Sequence, residues 1–353
     1  MSDAFNCFTK PLLDWFDQYG RKDLPWQHPR TPYRVWISEI MLQQTQVLTV
    51  IPYFERFMHS FPDLNALASA SEDYVLSHWS GLGYYSRARN IYKTAKILVE
   101  QLSGHFPETV NELMALPGIG ESTAAAIISQ AFNQPAAILD GNVKRVLSRY
   151  FMVDGIPEKS IVKKKLWQFA KACMPDSRCA DYTQAIMDFG ATCCTNKKPA
   201  CEQCPVSKTC LSYQQNKVDL YPFKKAKKIL PIKHEQFLLL YNEKNQIFLE
   251  KRPPCGIWGG LWCLPAISET DHAIDHIAVQ YGFNGSELTP LITIKHTFSH
   301  FHLYIKALAL RISCVDNIKI AEQTGKWLSA SEINDLGIAK PVNQIIKHYF
   351  QLA

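Results

Sequence analysis

Residues 194–210 read CTNKKPACEQCPVSKTC, which places Cys194, Cys201, Cys204 and Cys210 in a C-x6-C-x2-C-x5-C pattern. Four thiolates on a short loop are the ligand set of a cubane iron–sulfur cluster. Closely spaced cysteines also bind tetrahedral zinc, but the long first gap fits a loop around a bulky cluster better. Free or disulfide-bonded cysteine is the other alternative, and the dense spacing disfavours it. Cys193 directly precedes Cys194, so the spacing alone leaves the first ligand open.

The bulk composition permits a nucleic-acid partner and indicates more than one domain. A chain of 353 residues, 47% of them hydrophobic, exceeds one ordinary core, so we expect two or three globular domains. The formal net charge of +6 is compatible with DNA binding and equally with simple solubility. No apolar run at the start suggests a signal peptide, and none elsewhere approaches the roughly 20 residues of a membrane helix. We therefore expect a cytoplasmic protein whose thiols serve metals rather than disulfides.

Residues 35–47 have helical periodicity and contain one carboxylate, Glu39, among apolar and amide side chains. Desolvation of Glu39 would raise its pKa, and a raised pKa suits a general acid at neutral pH. The alternative is a carboxylate near the start of a helix that complements the helix dipole.

Two glycine-rich stretches are candidate DNA contacts. Residues 81–90, GLGYYSRARN, offer Tyr84 as a planar wedge for a base stack and Arg87 as a phosphate partner, or else form a helix C-cap with a buried tyrosine pair. Residues 113–127, LMALPGIGESTAAAI, predict two helices joined by a hairpin through Gly118 and Gly120. Backbone N–H groups at the start of the second helix would bind a phosphate, although an ordinary turn between helices has the same signature.

Asp140 ends a short apolar run in ILDGNVKRVL, residues 138–147, and precedes a predicted helix. Aspartate is a favoured helix N-cap, and that role alone would explain it. A catalytic role is compatible with the cap, because a helix N-terminus keeps a carboxylate ionised. An ionised Asp140 and a protonated Glu39 would form the base and acid of a bond-cleaving pair.

The composition changes after Cys210. Residues 212–231 are rich in lysine and predict an exposed basic linker that would lie along DNA. The remaining chain turns to period-two alternation, typical of an α+β domain. Its expected elements are a hairpin over 237–250, strands near 291–296 and 300–312, and helices near 271–281 and 342–351. Residues 256–265 resemble the front of a Nudix domain, but residues 270–276 lack the glutamate cluster with which Nudix hydrolases bind Mg²⁺.

The cysteine pattern resembles the iron–sulfur loop of the endonuclease III superfamily. The motifs SEIMLQQT, LPGIG and LDGNV narrow the resemblance to the MutY-type A/G-specific adenine DNA glycosylases over nearly the whole chain. It implies a multidomain fold: an all-α helix-hairpin-helix core with a [4Fe–4S] loop, then a C-terminal α+β Nudix-like domain. The expected divisions are a helical catalytic region at 1–211, a linker at 212–231 and a recognition domain at 232–353. Within the helical region we expect a six-helix subdomain at about 29–137 and an iron–sulfur subdomain from 1–28 and 138–211.

The resemblance also implies a reaction: monofunctional hydrolysis of the N-glycosidic bond of adenine mispaired with 8-oxoguanine or guanine in double-stranded DNA. It makes Glu39 the proton donor, Asp140 the second catalytic carboxylate and Asn142 a hydrogen-bonding partner near the sugar. One [4Fe–4S] cluster would be bound by Cys194, Cys201, Cys204 and Cys210. We expect a nucleoid-associated monomer that repairs DNA by base excision.

Further positions take roles from the same resemblance. Gln44 and Tyr84 would enter the opened duplex, and Gln184 and Asp188 would lie near the base pocket. Residues that would detect 8-oxoguanine are Phe298, Ser299 and His300. Ser122 stands where bifunctional relatives carry the lysine that forms a Schiff base, so the chain should leave the DNA backbone intact.

Three other functions share parts of this pattern. A bifunctional endonuclease III-type pyrimidine-damage glycosylase and AP lyase would share the helical core, but Ser122 and the C-terminal domain argue against it. A non-catalytic DNA-binding scaffold would share the hairpin and the cluster. A nucleotide pyrophosphatase would use the last domain alone.

Overall fold

The computed structural model describes residues 5–225, 229–285, 287–312, 314–315 and 325–352. The chain divides into two compact units, one of Met1–Ala68 with Lys93–Ala226 and one of Ser69–Tyr92 with Lys227–Ala353. The segment 69–92 falls inside the span expected for the six-helix subdomain, yet it packs with the C-terminal residues. Asp73 shows why, because its carboxylate accepts hydrogen bonds from Lys251 Nζ at 2.8 Å and Trp262 Nε1 at 3.2 Å.

The described part of the first 225 residues is helical. A π-helical turn, Phe5–Thr9, precedes the first α-helix. The α-helices, in chain order, are α1 Lys10–Tyr19, α2 Pro32–Leu42, α3 Val47–Ser60, α4 Leu64–Ser69, α5 Glu72–His78, α6 Ser86–Leu102, α7 Val110–Met114, α8 Glu121–Ala131, α9 Gly141–Tyr150, α10 Ser160–Cys173, α11 Cys179–Thr192 and α12 Leu211–Gln214. Within the described ranges, none of the helices has the length and apolar character needed to cross a bilayer.

Helix α2 ends earlier than the periodicity of residues 35–47 predicts. Thr31 caps its start, since Thr31 Oγ1 accepts the Arg34 N–H at 3.2 Å. The helix stops at Leu42, and Gln44 then adopts a left-handed φ of 58° before α3 begins at Val47. Glu39 therefore lies toward the C-terminal end of α2, where the helix dipole disfavours a carboxylate. The alternative explanation of Glu39 as a charge near a helix start is wrong.

The hairpin between α7 and α8 has the predicted form. Gly118 has a φ of 78°, which glycine adopts without strain, and Gly120 caps α8 with extended backbone. Thr94 Oγ1 donates to Pro117 O at 2.9 Å and fixes the approach to the turn. The first N–H groups of α8 thus start at a glycine that leaves them accessible.

The first part of the predicted linker is folded into the first unit. Residues 211–220 carry α12 and a 3₁₀ turn, Val218–Leu220. Tyr221 is buried; its hydroxyl donates to Asp154 Oδ1 and its carbonyl accepts from Arg149 Nε at 3.0 Å. The basic residues alone do not reveal this anchoring, because it depends on partners far away in sequence.

The C-terminal unit is built on a mixed sheet. The strands, in chain order, are β1 Ile232–Tyr241, β2 Ile247–Lys251, β3 Trp262–Cys263, β4 Ala266–Ser268, β5 Phe283–Asn284, β6 Leu288–Thr297, β7 His302–Arg311, β8 Cys314–Val315 and β9 Gly325–Leu328. The strand order in the sheet is β3-β2-β1-β7-β6. Strands β1 and β7 are parallel, β4 pairs with β1, and β9 pairs with β2. The helices of this part are α13 Ala273–Tyr281, α14 Ala330–Asn334 and α15 Lys340–Leu352.

The period-two pattern correctly predicts this sheet. Strands β1 and β2 form the expected hairpin, and β6 and β7 cover the strands expected near 291–296 and 300–312. Helix α13 packs its buried face into a core of sheet residues, with Phe248, Tyr281 and Phe283 in mutual ring contact. Burial of large aromatic side chains accounts for much of the cohesion of such a small domain.

Candidate functional site

Glu39 is a carboxyl group whose pKa is raised to about 7. Burial is the main cause, and the charge of Asp140 adds to it. Gln130 on α8 opposes the shift, because its Nε2 donates to Glu39 Oε1 at 3.1 Å. At neutral pH this side chain is therefore populated in both forms, as a group that gives up and retrieves a proton requires.

Asp140 is the N-cap of α9, as the sequence indicates, and its Oδ1 accepts the Val143 N–H at 2.7 Å. Burial raises its pKa above the ordinary value, whereas the N–H groups of Val143 and Asn142 and the charge of Arg145 lower it. The helix N-terminus therefore does not by itself determine its ionisation. The charge of Asp140 contributes to the raised pKa of Glu39, so ionisation of one carboxyl disfavours ionisation of the other.

Arg145 joins the segment after Asp140 to the cysteine loop. Its Nη2 donates to Asn142 Oδ1 at 2.7 Å and to Gly190 O at 2.6 Å, and its Nε donates to Cys194 O at 2.9 Å. A Cβ at position 190 would lie 2.7 Å from Asn142 Cβ, so only glycine leaves room for this side chain. The Asn142 side chain is thus held in place by the Arg145 guanidinium and by the backbone of Gly190, which lies close to it.

Ser122 lies in the first turn of α8, where its Oγ accepts the Leu139 N–H at 3.1 Å. The hydroxyl therefore supports the residue next to Asp140. A lysine at this position would replace that acceptor with a donor. The sequence shows the missing amine but not this contact.

Gln44 and Tyr84 are exposed residues with left-handed backbone. Their φ angles are 58° and 48°, conformations that cost a non-glycine residue free energy and recur at binding sites. Tyr84 is 49% exposed, so the alternative of a buried tyrosine pair applies only to its neighbour Tyr85, which is 7% exposed. The turns at Gln44 and Tyr84 therefore expose both side chains to solvent.

Arg87 is not an exposed cation. It is 8% exposed and its Nη2 donates to Leu82 O at 3.1 Å and to Gly83 O at 3.2 Å, while its guanidinium lies over the Trp79 ring. These contacts fix the loop that carries Tyr84. The prediction of a phosphate partner at position 87 therefore conflicts with its burial, because the positive charge is used inside the C-terminal unit.

The C-terminal unit contains a cleft of about 550 Å³, a size typical of small-molecule sites. Tyr84, Phe298, Ser299 and His300 all line it, so two stretches predicted separately share one cavity. Phe298 stacks on Phe301 with ring centroids 4.6 Å apart, and Ser299 Oγ lies 3.4 Å from His300 Nδ1. The remaining lining residues are Gly81, Gly83, Tyr85, Ser86, Arg89, Gly256, Ile257, Trp258, Gly259, His296, Thr297 and Lys340.

Cys194, Cys201, Cys204 and Cys210 line a single cavity in the first unit, and none of them is in a disulfide. The buried Arg149 guanidinium lies 3.3 Å from Cys194 Sγ and works against the effect of burial on its pKa. This donor set, four free sulfurs with a cation beside one, fits the ligands of an iron–sulfur cluster. In the parts of the chain that the structure describes, however, no group of three or more His, Cys, Asp or Glu side chains is placed so that it could hold a metal ion.

Cys193 lines the same cavity but has a different environment. It is buried, and its thiol lies 3.8 Å from the carbonyl of Ala200, to which it donates. The nearby guanidinium contacts Cys194 instead. Cys194, and not Cys193, is therefore the cysteine with a cation beside its sulfur, and Cys194 remains the predicted first ligand.

Gln184 and Asp188 are both buried on α11, where Gln184 Nε2 donates to Asp188 Oδ1 at 2.8 Å. Asp188 also accepts from the Arg21 backbone N–H at 2.8 Å and from its guanidinium at 2.6 Å. The carboxylate oxygens of Asp188 thus already accept hydrogen bonds from Arg21 and Gln184, and the contact with Arg21 holds the N-terminal segment against α11. Gln184 Oε1 has no hydrogen-bond partner among the described residues, and a buried unpaired acceptor is costly unless a ligand donor meets it.

Sequence reasoning missed Gln130, Arg145 and Arg149. No motif marks Gln130, whose partner is 91 positions away. Arg145 and Arg149 are one turn apart on α9, and their charges alone predict side chains that are exposed to solvent. Only the pairing of α9 with the cysteine loop explains their burial.

The chain matches two protein families. Residues 37–172 match the HhH-GPD superfamily of base-excision DNA repair proteins, and residues 236–348 match the NUDIX domain. It is 39% identical to the adenine DNA glycosylase of Buchnera aphidicola subsp. Schizaphis graminum, over 96% of this chain and 98% of that protein. It is 32% identical to the human adenine DNA glycosylase, over 97% of this chain and 74% of that protein.

Two solved structures share the helical fold. A thermostable thymine-DNA glycosylase superposes with a TM-score of 0.55 at 30% identity, covering 61% of this chain and 98% of its own. A non-covalent endonuclease III–DNA complex superposes with a TM-score of 0.52 at 22% identity, covering 61% and 98%. These comparisons confirm the helix-hairpin-helix core and the Nudix-like domain that the sequence predicts.

Proposed function

The chain belongs to the adenine DNA glycosylases of base-excision repair, which hydrolyse the N-glycosyl bond of adenine, and we propose that its substrate is adenine paired with 8-oxoguanine or guanine in double-stranded DNA. The observation that carries the catalytic part is Glu39, a carboxyl with a pKa raised to about 7 beside Asp140. The observation that supports the proposed preference for a mispair is the cleft that both Tyr84 and Ser299 line.

Glu39 and Asp140 divide the chemistry between them. Protonated Glu39 donates its proton to a purine ring nitrogen and makes adenine a better leaving group. As the glycosidic bond breaks, the deoxyribose gains oxocarbenium character, which ionised Asp140 stabilises through its negative charge. Glu39, now ionised, accepts a proton from the water that attacks the sugar. Asn142, held by Arg145, would hydrogen-bond near the reacting sugar.

Ser122 limits the reaction to base removal. Its hydroxyl accepts the Leu139 N–H, and no amine at this position can attack the sugar to form a Schiff base. The bifunctional pyrimidine-damage glycosylase and lyase is not favoured, because the full-length relatives are adenine glycosylases. Release of adenine would therefore leave an abasic site in an intact strand.

Adenine must leave the base stack to reach these groups, at a cost of a few kcal/mol. Gln184 Oε1 is a buried acceptor without a partner, and the exocyclic amino group of adenine is a donor that would satisfy it. Asp188 holds the Gln184 amide through Nε2 and so orients that oxygen. In this assignment Asp188 acts through Gln184 rather than by contact with the base.

The DNA backbone and the opened duplex would be held by separate elements. N–H groups at the start of α8, next to Gly118 and Gly120, would bind a phosphate without reading sequence. Gln44 and Tyr84 project from strained turns and would fill the space left by the flipped base. In the C-terminal unit, Phe298, Ser299 and His300 would contact the 8-oxoguanine that remains in the duplex.

Cys194, Cys201, Cys204 and Cys210 would hold one [4Fe–4S] cluster, whose contribution is to fix the loop between α11 and α12 and not to transfer electrons to the substrate. We assign residues 1–211 to catalysis and residues 232–353 to recognition, with the segment 69–92 adding Tyr84 to the recognition cleft. We further expect a monomer that acts on chromosomal DNA in the cytoplasm.

A single-turnover assay tests the proposal. Full-length protein should release adenine from a duplex with adenine opposite 8-oxoguanine, and Glu39→Gln should abolish release while duplex binding stays within about threefold. Glu55→Gln, which changes an exposed carboxylate on α3, is the matched control and should behave like the wild type.

Two results would contradict the proposal. Full activity of the Glu39→Gln protein would exclude Glu39 as the acid. Covalent trapping of the wild type by borohydride at a lysine essential for turnover would instead favour the lyase reaction.

A further inference from the structure

A dense group of lysines at the start of α10 has no part in the roles assigned above. Residues 159–171 read KSIVKKKLWQFAK and contain five lysines and no acidic residue, a formal charge of +5. Because the formal net charge of the chain is +6, the remaining residues together carry only +1. Positive charge concentrated on one element is typical of a surface that binds a polyanion.

Four of these residues, Lys159, Lys163, Lys164 and Lys165, form what we call the lysine cluster. Lys159 is the N-cap of α10, and the other three lie in its first two turns. All four are exposed, and the Lys165 ammonium also lies over the Phe169 ring, 5.9 Å from its centroid. Among the described residues, no carboxylate forms an ion pair with any of the four. Their charges are therefore available to a partner.

Helix α10 runs beside α9, and the two helices start at the same end. Lys144 Nζ, one turn after Asp140, lies 3.9 Å from Glu158 Oε1, just before the N-cap of α10. Near their other ends, the Phe169 ring of α10 stacks on Phe151, the C-cap of α9, with centroids 4.0 Å apart. The lysine cluster therefore lies at the end of this helix pair that carries Asp140.

The ammonium groups of the cluster extend toward that end. Side chains on a helix lean toward its N-terminus, so Lys163, Lys164 and Lys165 point toward the side on which Asp140 would meet the sugar. From Lys159 to Lys165 the chain rises about 9 Å along the helix axis. Successive phosphates of one DNA strand are about 3.4 Å apart along the duplex axis, so the cluster spans about two or three of them.

We propose that the lysine cluster binds backbone phosphates of the DNA strand next to the flipped adenine. It would act in addition to the N–H groups at the start of α8, and it would strengthen binding without reading sequence. Lysine suits this role because its ammonium binds phosphate as a point charge on a flexible stem. This inference rests on the proposed function, which makes duplex DNA the substrate.

The test is the salt dependence of the dissociation constant, measured with full-length protein by fluorescence anisotropy. The duplex carries a non-cleavable 2′-fluoro adenosine opposite 8-oxoguanine, with more than a helical turn of DNA on each side. Each phosphate contact contributes about 0.9 to the slope of log Kd against log salt concentration. Lys164→Gln should therefore lower the slope by about 0.9 and weaken binding about fivefold at about 0.15 M salt. Adding Lys163→Gln should about double the change in slope.

Lys171→Gln is the matched control, because it removes one charge from an exposed lysine of the same helix. Lys171 lies about two turns after Lys164 and so farther from the end that carries Asp140. Its slope should stay within about 0.2 of the wild-type slope. Lys163→Arg combined with Lys164→Arg keeps both charges and should retain the wild-type slope. Equal losses of slope in Lys171→Gln and Lys164→Gln would show that only the net charge matters, which would overturn the proposal.

Two shortened duplexes separate a contact from a general attraction. One lacks the base pairs on the 5′ side of the adenosine, and the other lacks those on the 3′ side. The effect of Lys163→Gln with Lys164→Gln should disappear on the duplex that lacks the contacted flank and persist on the other. Because the Debye length is about 8 Å at physiological salt, distant charges act only weakly. An equal effect on both duplexes would exclude a contact with one flank.

Adenine release by the wild type, measured on the same duplex with ordinary adenosine, separates this inference from the function on which it rests. If the wild type releases adenine and the cluster variants keep its slope, the proposed function stands and the inference fails. The lysines would then serve solubility or an acidic protein partner. If the wild type releases no adenine but the variants lower the slope, the proposed function fails and the cluster remains a DNA contact. Thermal unfolding followed by circular dichroism checks folding, and Lys164→Gln alone decides if the double variant does not fold.

Discussion

Gln130→Leu should move the pH dependence of adenine release toward higher pH. In the wild type, single-turnover release should decline as pH rises through about 7, because the acid form of Glu39 is lost. Gln130 Nε2 donates to Glu39 Oε1 at 3.1 Å and favours the ionised form, so removing this donor raises the pKa of Glu39. Hydrogen bonds to charged groups contribute about 1.5 to 3 kcal/mol when buried. Glu39 is half-buried, so we use the lower end, which corresponds to about one pKa unit.

The shift has a measurable size. At pH 8 a carboxyl with a pKa of about 7 is about one-tenth protonated, whereas one with a pKa of about 8 is half protonated. Relative to its own plateau at lower pH, the Gln130→Leu enzyme should therefore retain about fivefold more activity at pH 8 than the wild type retains. The absolute plateau is a separate quantity, because the new side chain also changes the wall near the carboxyl.

The assay is rapid-quench single-turnover cleavage of an adenine:8-oxoguanine duplex between about pH 5.5 and pH 9. Gln43→Leu is the matched control, because it also replaces an amide with an apolar side chain, and Gln43 Nε2 contacts Thr123 Oγ1 at 3.4 Å. Its alkaline limb should coincide with that of the wild type. An alkaline limb that stays in place in Gln130→Leu, or moves to lower pH, would refute Glu39 as the titrating acid or Gln130 as its partner.

Three further predictions follow from other contacts. The raised pKa of Glu39 means that the free energy of unfolding is highest when the group is protonated and declines as pH rises from about 4.5 to about 7. Glu39→Gln should therefore raise the free energy of unfolding by about 3 kcal/mol at pH 8 and by little at pH 4.5, as measured by urea denaturation. A larger increase in the free energy of unfolding at pH 4.5 than at pH 8 would contradict burial as the cause of the raised pKa of Glu39. Gly190→Ala places a methyl group 2.7 Å from Asn142 Cβ and should slow single-turnover release at least tenfold, whereas Gly141→Ala, with open space around its Cβ, should bind DNA as tightly as the wild type. Unchanged release in Gly190→Ala would show that Asn142 does not depend on close approach of the backbone. Cys204→Ser should reduce the iron content and the visible absorbance of the purified protein, while Cys255→Ser, a change to an exposed cysteine outside the cavity, should leave both unchanged. Equal iron in the two variants would remove Cys204 from the ligand set.

Local patterns predicted much of the fold and the candidate site. The alternation in β1 and β2, the glycine hairpin before α8 and the N-cap at Asp140 depend on neighbours a few positions away, so they can be read from the chain. The end of α2 could not, because Val47 continues the helical spacing of the apolar residues before it while the backbone turns at Gln44. The burial of Arg87 could not be predicted for a similar reason, since its charge suggests exposure to solvent but its carbonyl partners hold it inside.

By itself the sequence determined the chemical inventory: two carboxylates near helix termini, four cysteines at cluster spacing, a serine in place of a lysine, and the alternation that builds the C-terminal sheet. The tertiary structure alone decided how these groups behave. The pKa of Glu39 depends on burial and on Gln130 and Asp140, each about a hundred residues away. The grouping of segment 69–92 with the C-terminal unit, and hence a cleft lined by both Tyr84 and His296, depends on contacts such as that of Asp73 with Lys251. Desolvation and long-range contact arise only when distant segments pack, and for that reason spacing along the chain does not encode them in readable form.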